Sequence, residues 1–153
     1  MNVLHGQFAI GLVVSLVNIA IHAVIMARVS WAARRASDIA SHRELLRLVL
    51  VMMAAVTVLM VAHIIEIGVW AVVYAMLDVI PRHDQAFYFA FVNYTTLGYG
   101  DILPNEYWRI LAPVCTMNGI MLFGWSTAVI YDVLRTIAQA IPMGVKRRKR
   151  KAG

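Results

Sequence analysis

The chain has 153 residues, 61% of them hydrophobic and 14% charged, with a formal net charge of +6. Soluble domains carry about 25% charged and 45–50% apolar residues, so this balance excludes an ordinary water-soluble fold and points to lipid as the solvent. The length suits one domain; the single cysteine, Cys115, excludes an internal disulfide and reads as a small buried side chain.

About 20 apolar residues in a helix cross a bilayer core. The first such run covers about residues 8–29. No positive charge leads it, its apolar core is longer than a secretory signal's and arginines follow it, so it is expected to be a retained spanning helix. Asn18 and His22 share one of its faces and are expected to hydrogen-bond to another helix.

The second run, about residues 45–77, follows Ser41-His42-Arg43-Glu44, which has the form of a capping box. Within it His63 and Glu66 stand three apart, on one helical face. Ionisable groups at membrane depth are costly and default to function. One reading is a pH-sensitive pair that biases gating, since imidazole titrates near neutral pH. The preferred reading is structural: hydrogen bonds to the following short helix, to Asn118 or to Trp70. A metal site needs more ligands than these two, and would require His22 or another subunit to contribute.

Pro81 breaks the chain, and Asp84 is expected to cap a short semi-apolar helix over about residues 84–94. That segment is too short to span, so it is expected to enter and leave on the same side. A third spanning run covers about residues 107–137, with Asn105 as its expected N-cap and Pro142 and Gly144 at its end. Trp70, Tyr74 and Trp108 suit one membrane interface.

Twelve of the fourteen Lys and Arg residues fall in two places. Arg28, Arg34, Arg35, Arg43 and Arg47 flank the first connection; Arg135, Lys146, Arg147, Arg148, Lys149, Arg150 and Lys151 mark the C-terminal end. Only Arg82 and Arg109 remain. Basic residues stay on the cytoplasmic side, so both clusters are expected there and the N-terminus outside. The plasma or inner membrane is the expected location. The run from Lys146 to Lys151 could bind anionic headgroups or serve only as a topology determinant. No nucleic-acid partner is expected.

Between the short helix and the third run stands Thr95-Thr96-Leu97-Gly98-Tyr99-Gly100-Asp101. Glycine adopts backbone angles closed to other residues, so alternation of Gly98 and Gly100 with Leu97 and Tyr99 permits an unusual main-chain path. A plain glycine turn is the bland alternative. The seven residues together, with an aromatic-rich helix before them and a spanning run on each side, are far more specific.

This signature resembles that of the potassium-channel pore family, over roughly residues 45–134. Phe87-Tyr88-Phe89-Ala90-Phe91-Val92 is similar to the family's pore helix, Trp108-Arg109 to its inner-helix start, and Met117-Asn118-Gly119 with Leu122-Phe123-Gly124 to its hinge region. The resemblance implies an all-α integral membrane fold: three transmembrane helices with a re-entrant pore helix and filter loop between the second and third. Residues 1–40 would hold the first helix and basic loop, 41–140 the pore domain and 141–153 the basic tail.

The resemblance further implies a homotetramer conducting K+ passively, with ion-binding carbonyls from Thr96, Leu97, Gly98 and Tyr99 and support from Thr95, Gly100, Asp101 and Asn93. K+ at the filter would be the only metal, with no cofactor. Gly119 and Gly124 would act in gating. Ile120, Phe123, Thr127 and Tyr131 recur at three- and four-residue steps and could line the cavity, or could pack on the outer helix. Leu97 stands where Val or Ile is commoner, Asn93 where Thr is, and the first helix is an addition to the two-helix plan.

No helix carries the spaced arginines of a voltage sensor, and no residue set suits nucleophilic catalysis. An enzyme is not expected. The rivals are a weakly selective cation channel, a non-conducting scaffold or accessory subunit and, weakest, an intramembrane enzyme built on His63, Glu66 and His22.

Overall fold

The computed structural model describes residues 2–37 and 44–140. Ser41, His42, Arg43, Pro142, Gly144 and the basic run from Lys146 to Lys151 lie outside the described residues. Four α-helices follow in order: α1 (Asn2–Ser37), α2 (Glu44–Met76), α3 (Ala86–Tyr94) and α4 (Leu111–Ala140). There is no strand among the described residues. Three helices are long and apolar enough to cross a membrane. At about 1.5 Å per residue, the 36, 33 and 30 residues of α1, α2 and α4 all outrun a hydrocarbon core of about 30 Å.

Leu12, Leu16, Met53, Met60, Val72 and Met121 all point outward, each more than half exposed. Apolar surface of that extent belongs in lipid. The chain is a multi-pass membrane protein. α1 packs on both α2 and α4, and α3 is wedged between α2 and α4. Trp70, Tyr74, Phe89, Ala90, Tyr94, Leu111, Cys115 and Leu122 form one buried cluster around α3. Met26, Val29, Ala33, Ala55, Leu59, Val129 and Val133 form a second, nearer the α1–α2 connection.

The helix ends depart from the expected caps. α2 closes by a left-handed residue, Asp78 at φ 51°, with Val79 N–H donating to the Tyr74 carbonyl at 3.0 Å. That is the Schellman arrangement, here without the usual glycine. Asp84 does not cap α3; its carboxylate pairs with Arg82 at 2.7 Å. Asn105 does not cap α4 with its side chain either. A 3-10 turn over Glu106–Trp108 comes first, and Asn105 Nδ2 donates to the Asp78 carbonyl at 2.6 Å. Asp84 is engaged by Arg82 and Asn105 by the Asp78 carbonyl, and neither side chain reaches a helix N-terminus. Asn105 N–H also donates to Val79 O at 2.8 Å, so this residue ties the loop before α4 to the end of α2.

An exposed loop and a buried polar cluster

The segment after α3 is held from behind. Thr95 N–H and its hydroxyl both donate to Phe91 O, at 3.0 and 2.8 Å. Thr96 N–H reaches Asn93 O at 3.0 Å, and Leu97 and Gly98 N–H both reach Val92 O, at 2.9 and 3.2 Å. The last carbonyls of α3 are thereby spent on the chain that follows. Beyond this anchor φ is positive at every second residue: 64° at Thr96, 55° at Gly98 and 74° at Gly100. Glycine takes this region freely, whereas a β-branched residue there is an outlier. The sequence pointed to the two glycines and not to Thr96.

Residues 96–101 are exposed on the single chain, Leu97 by 51% and Tyr99 by 67%. Behind them lies a cavity of about 380 Å³, lined by Tyr88, Val92, Asn93, Asp101 and Arg109 among others. Tyr88 donates its hydroxyl proton to Asp101 Oδ2 at 2.7 Å, bracing the outer end of the loop to α3. Asn93 bonds back to Phe89 O of its own helix at 2.7 Å, and its carbonyl accepts from the Thr116 hydroxyl of α4 at 2.8 Å.

α4 runs as helix through both Gly119 and Gly124. The two differ sharply. A Cβ on Gly119 would lie 2.1 Å from the Tyr94 carbonyl oxygen, so α4 meets the end of α3 there only because position 119 is glycine. Gly124 faces open space. Ile120, Phe123, Thr127 and Tyr131 are all exposed on the chain, at 55% for Ile120 and 66% for Tyr131. Phe123 also touches α2 and α3, its ring 4.4 Å from that of His63 and 5.5 Å from that of Tyr94.

His63 and Glu66 belong to a larger group than their spacing suggested. Glu66 is fully buried; its Oε1 meets His22 Nδ1 at 2.7 Å and its Oε2 meets His63 Nδ1 at 3.0 Å. Tyr94, the last residue of α3, donates its hydroxyl to Glu66 Oε2 and lies 3.0 Å from His63 Nδ1. Ser126 Oγ of α4 lies 3.0 Å from His63 Nε2 and 3.3 Å from His22 Nε2. All four helices thus contribute a side chain. A second set adjoins it: Asn18 Nδ2 bonds Asn118 Oδ1 at 3.0 Å and the Glu66 carbonyl at 3.2 Å, and Trp70 Nε1 bonds Asn118 Oδ1 at 3.1 Å. A lone carboxylate in such a place would cost several kcal/mol, about the scale of a broken buried ion pair; here every oxygen faces a hydrogen-bond partner.

Sequence reasoning missed Tyr94 and Ser126, because nothing in either local pattern marks them. His22 was legible as a polar residue in an apolar run and as a candidate neighbour of His63 and Glu66, and the structure places it against Glu66.

No curated protein and no solved structure matches the chain. A family model described as an ion channel matches residues 62–136, which begin beside His63 in α2, contain α3 and the exposed loop, and end in the last turns of α4. α1 lies wholly outside the match. Residues 62–136 therefore match an ion-channel family, consistent with the potassium-channel pore family that the loop signature resembles.

Proposed function

We propose that the chain is one subunit of a potassium-selective channel, with four copies around one axis and the segment Thr96-Leu97-Gly98-Tyr99 as the ion filter. The observation that carries this reading is the alternation of φ sign along residues 96–100 on an exposed, back-anchored loop. In an ordinary strand successive carbonyls point to opposite sides. Alternating handedness turns them to one side, and four such rows facing an axis supply rings of oxygens that replace the ion's hydration shell.

Thr95, Gly100, Asp101 and Asn93 support the loop. α3 enters from the outer side, and its C-terminal end favours a cation on the axis. Non-helical backbone at membrane depth survives only when buried in protein or beside water, which a ring of copies provides. A single loop cannot surround an ion, so a closed ring follows. The exposed α4 positions Ile120, Phe123, Thr127 and Tyr131 would then line the cavity below the filter, with Gly119 and Gly124 on the gating helix. The N-terminus lies outside and the basic tail, with Lys146, Arg147, Arg148, Lys149, Arg150 and Lys151, on the cytoplasmic side beside anionic headgroups.

The test is potassium flux from liposomes reconstituted with wild type and with Gly98→Ala. Alanine at a left-handed position costs about 1–2 kcal/mol and disturbs the carbonyl row, so flux should fall at least tenfold while the oligomer persists. A reversal potential that ignores a potassium–sodium gradient would instead make the pore a weakly selective cation channel. Folded wild type without flux would make the chain a scaffold or accessory subunit.

A further inference from the structure

The cluster at the centre of the chain has a donor set that the conduction reading does not use. One ring nitrogen of His22, one of His63 and a Glu66 carboxylate oxygen all lie within 4.8 Å of one another, and all three residues are buried. Two imidazoles and a carboxylate form a recurrent three-ligand zinc set that keeps a fourth position open. The geometry points to a transition-metal site, occupied by Zn2+ or a similar borderline divalent ion, between α1 and α2 of each subunit.

Hydrogen-bond accounting supports a cation at that point. Ser126 Oγ faces both Nε2 atoms, and a hydroxyl oxygen has two acceptor lone pairs. If both rings donate Nε2–H to Ser126, both Nδ1 lone pairs converge on the Glu66 carboxylate, acceptors facing acceptors. A metal ion between them resolves the conflict, as does one extra proton, on His63 Nδ1. Tyr94 then donates to Glu66 Oε2 from outside the coordination shell, as outer partners of metal ligands commonly do.

A metal-free alternative also closes. With Glu66 protonated, one hydrogen per link runs round the ring Glu66, Tyr94, His63, Ser126, His22 and back to Glu66. That ring leaves the His63 Nδ1 to Glu66 Oε2 approach of 3.0 Å without a hydrogen. A metal ion uses it, and so does a protonated His63 donating to an ionised Glu66, so the metal assay decides between them. Tetrahedral ligands about 2.0–2.1 Å from zinc stand roughly 3.3 Å apart. The nitrogen–carboxylate separations, 2.7 Å from His22 to Oε1 and 3.0 Å from His63 to Oε2, therefore need to widen by only about half an ångström. Entry is by way of His63, the least buried of the three at 8%, whose ring lies against Phe123 on the exposed face of α4.

The site does not depend on the conduction reading, and its test is metal binding itself. Full-length protein, with any affinity tag removed, is dialysed against Zn2+ in detergent and assayed for metal, then loaded with Co2+ for visible absorption. The expected result is about one zinc per chain and a four-coordinate cobalt spectrum, with His22→Ala and His63→Ala each losing at least tenfold in retained metal. Ser126→Ala, which keeps all three ligands, should weaken binding about tenfold or more. The exposed His83–Asp78 pair, 2.6 Å apart, is the competing surface site, so His83→Ala should leave the stoichiometry unchanged. Folded wild type that retains no more zinc than His22→Ala overturns the proposal and leaves the protonated ring. So does binding that His83→Ala abolishes. If the ligand variants fail to fold, the wild-type cobalt spectrum decides: a six-coordinate or absent spectrum overturns the site.

Discussion

The exposed loop after α3 and the buried cluster behind it meet in sequence where Tyr94 of the cluster adjoins Thr95, yet they are built on opposite terms. The cluster completes itself inside one chain: Glu66, His22, His63, Tyr94 and Ser126 answer one another at hydrogen-bond distance. The loop is anchored only from behind, holds Thr96 in a left-handed conformation and leaves Leu97 and Tyr99 facing outward. Strain of this kind persists where surrounding structure imposes it and often marks function. The contrast teaches that folding of the single chain is decided at the cluster, whereas the loop's exposed side chains find no cover within it.

The largest test of that division is Glu66→Ala. It strips two imidazoles and a phenol of their common partner in a fully buried place. Removing one member of a buried pair typically costs about 3–5 kcal/mol. Wild-type and mutant thermal melts in detergent should differ by many degrees, with loss of a monodisperse particle. A melt within a degree or two of wild type would mean the cluster does not hold the four helices.

Next comes the pair of glycines on α4. Gly119→Ala puts a methyl group 2.1 Å from the Tyr94 carbonyl oxygen, a backbone atom that cannot rotate away. Overpacking of this sort costs about 1–3 kcal/mol, and because Tyr94 adjoins the loop the same change should also reduce flux. Gly124→Ala meets nothing and should stabilise by up to about 1 kcal/mol through helix propensity. Equal effects at the two positions would erase the distinction between a packing glycine and a free one.

A smaller effect is expected at the seam. Thr116→Val removes the hydroxyl that bonds Asn93 O at 2.8 Å and Ala112 O at 3.2 Å while keeping the volume. About 1 kcal/mol should be lost, measurable as a lower melting temperature with the particle size in detergent unchanged.

How much of this was legible beforehand follows from what each residue's signal depends on. The three long helices were, because run length against bilayer thickness needs no tertiary knowledge. Glycines 98 and 100 announced an unusual backbone, but Thr96 did not, since β-branched residues avoid positive φ unless neighbours force it. Asp78 ends α2 without the glycine that usually marks such an end. Asp84 and Asn105 read as caps by type, and each was claimed by a different partner: Arg82 for the first, the Asp78 carbonyl for the second. His63 and Glu66 were visible as a pair on one helix. That His22, Tyr94 and Ser126 complete the group depends on the register between helices, which periodicity within one helix does not contain.

The smallest effect is expected at the outer edge, and it serves as the control. The Arg82 guanidinium hydrogen-bonds Asp84 and holds its carboxyl below the usual range. A depressed carboxyl contributes stability that is present at neutral pH and fades as pH falls through the folded value. Here both side chains are about two-thirds exposed, at 65% and 64%, so solvent screens the pair almost completely. Asp84→Asn should leave the melting temperature unchanged at pH 7, and the two proteins should lose stability in parallel on acidification. A clear drop at pH 7 that vanishes near pH 3 would mean the pair is sheltered from solvent, and this edge of the loop region would then join the cluster as a place where folding is decided.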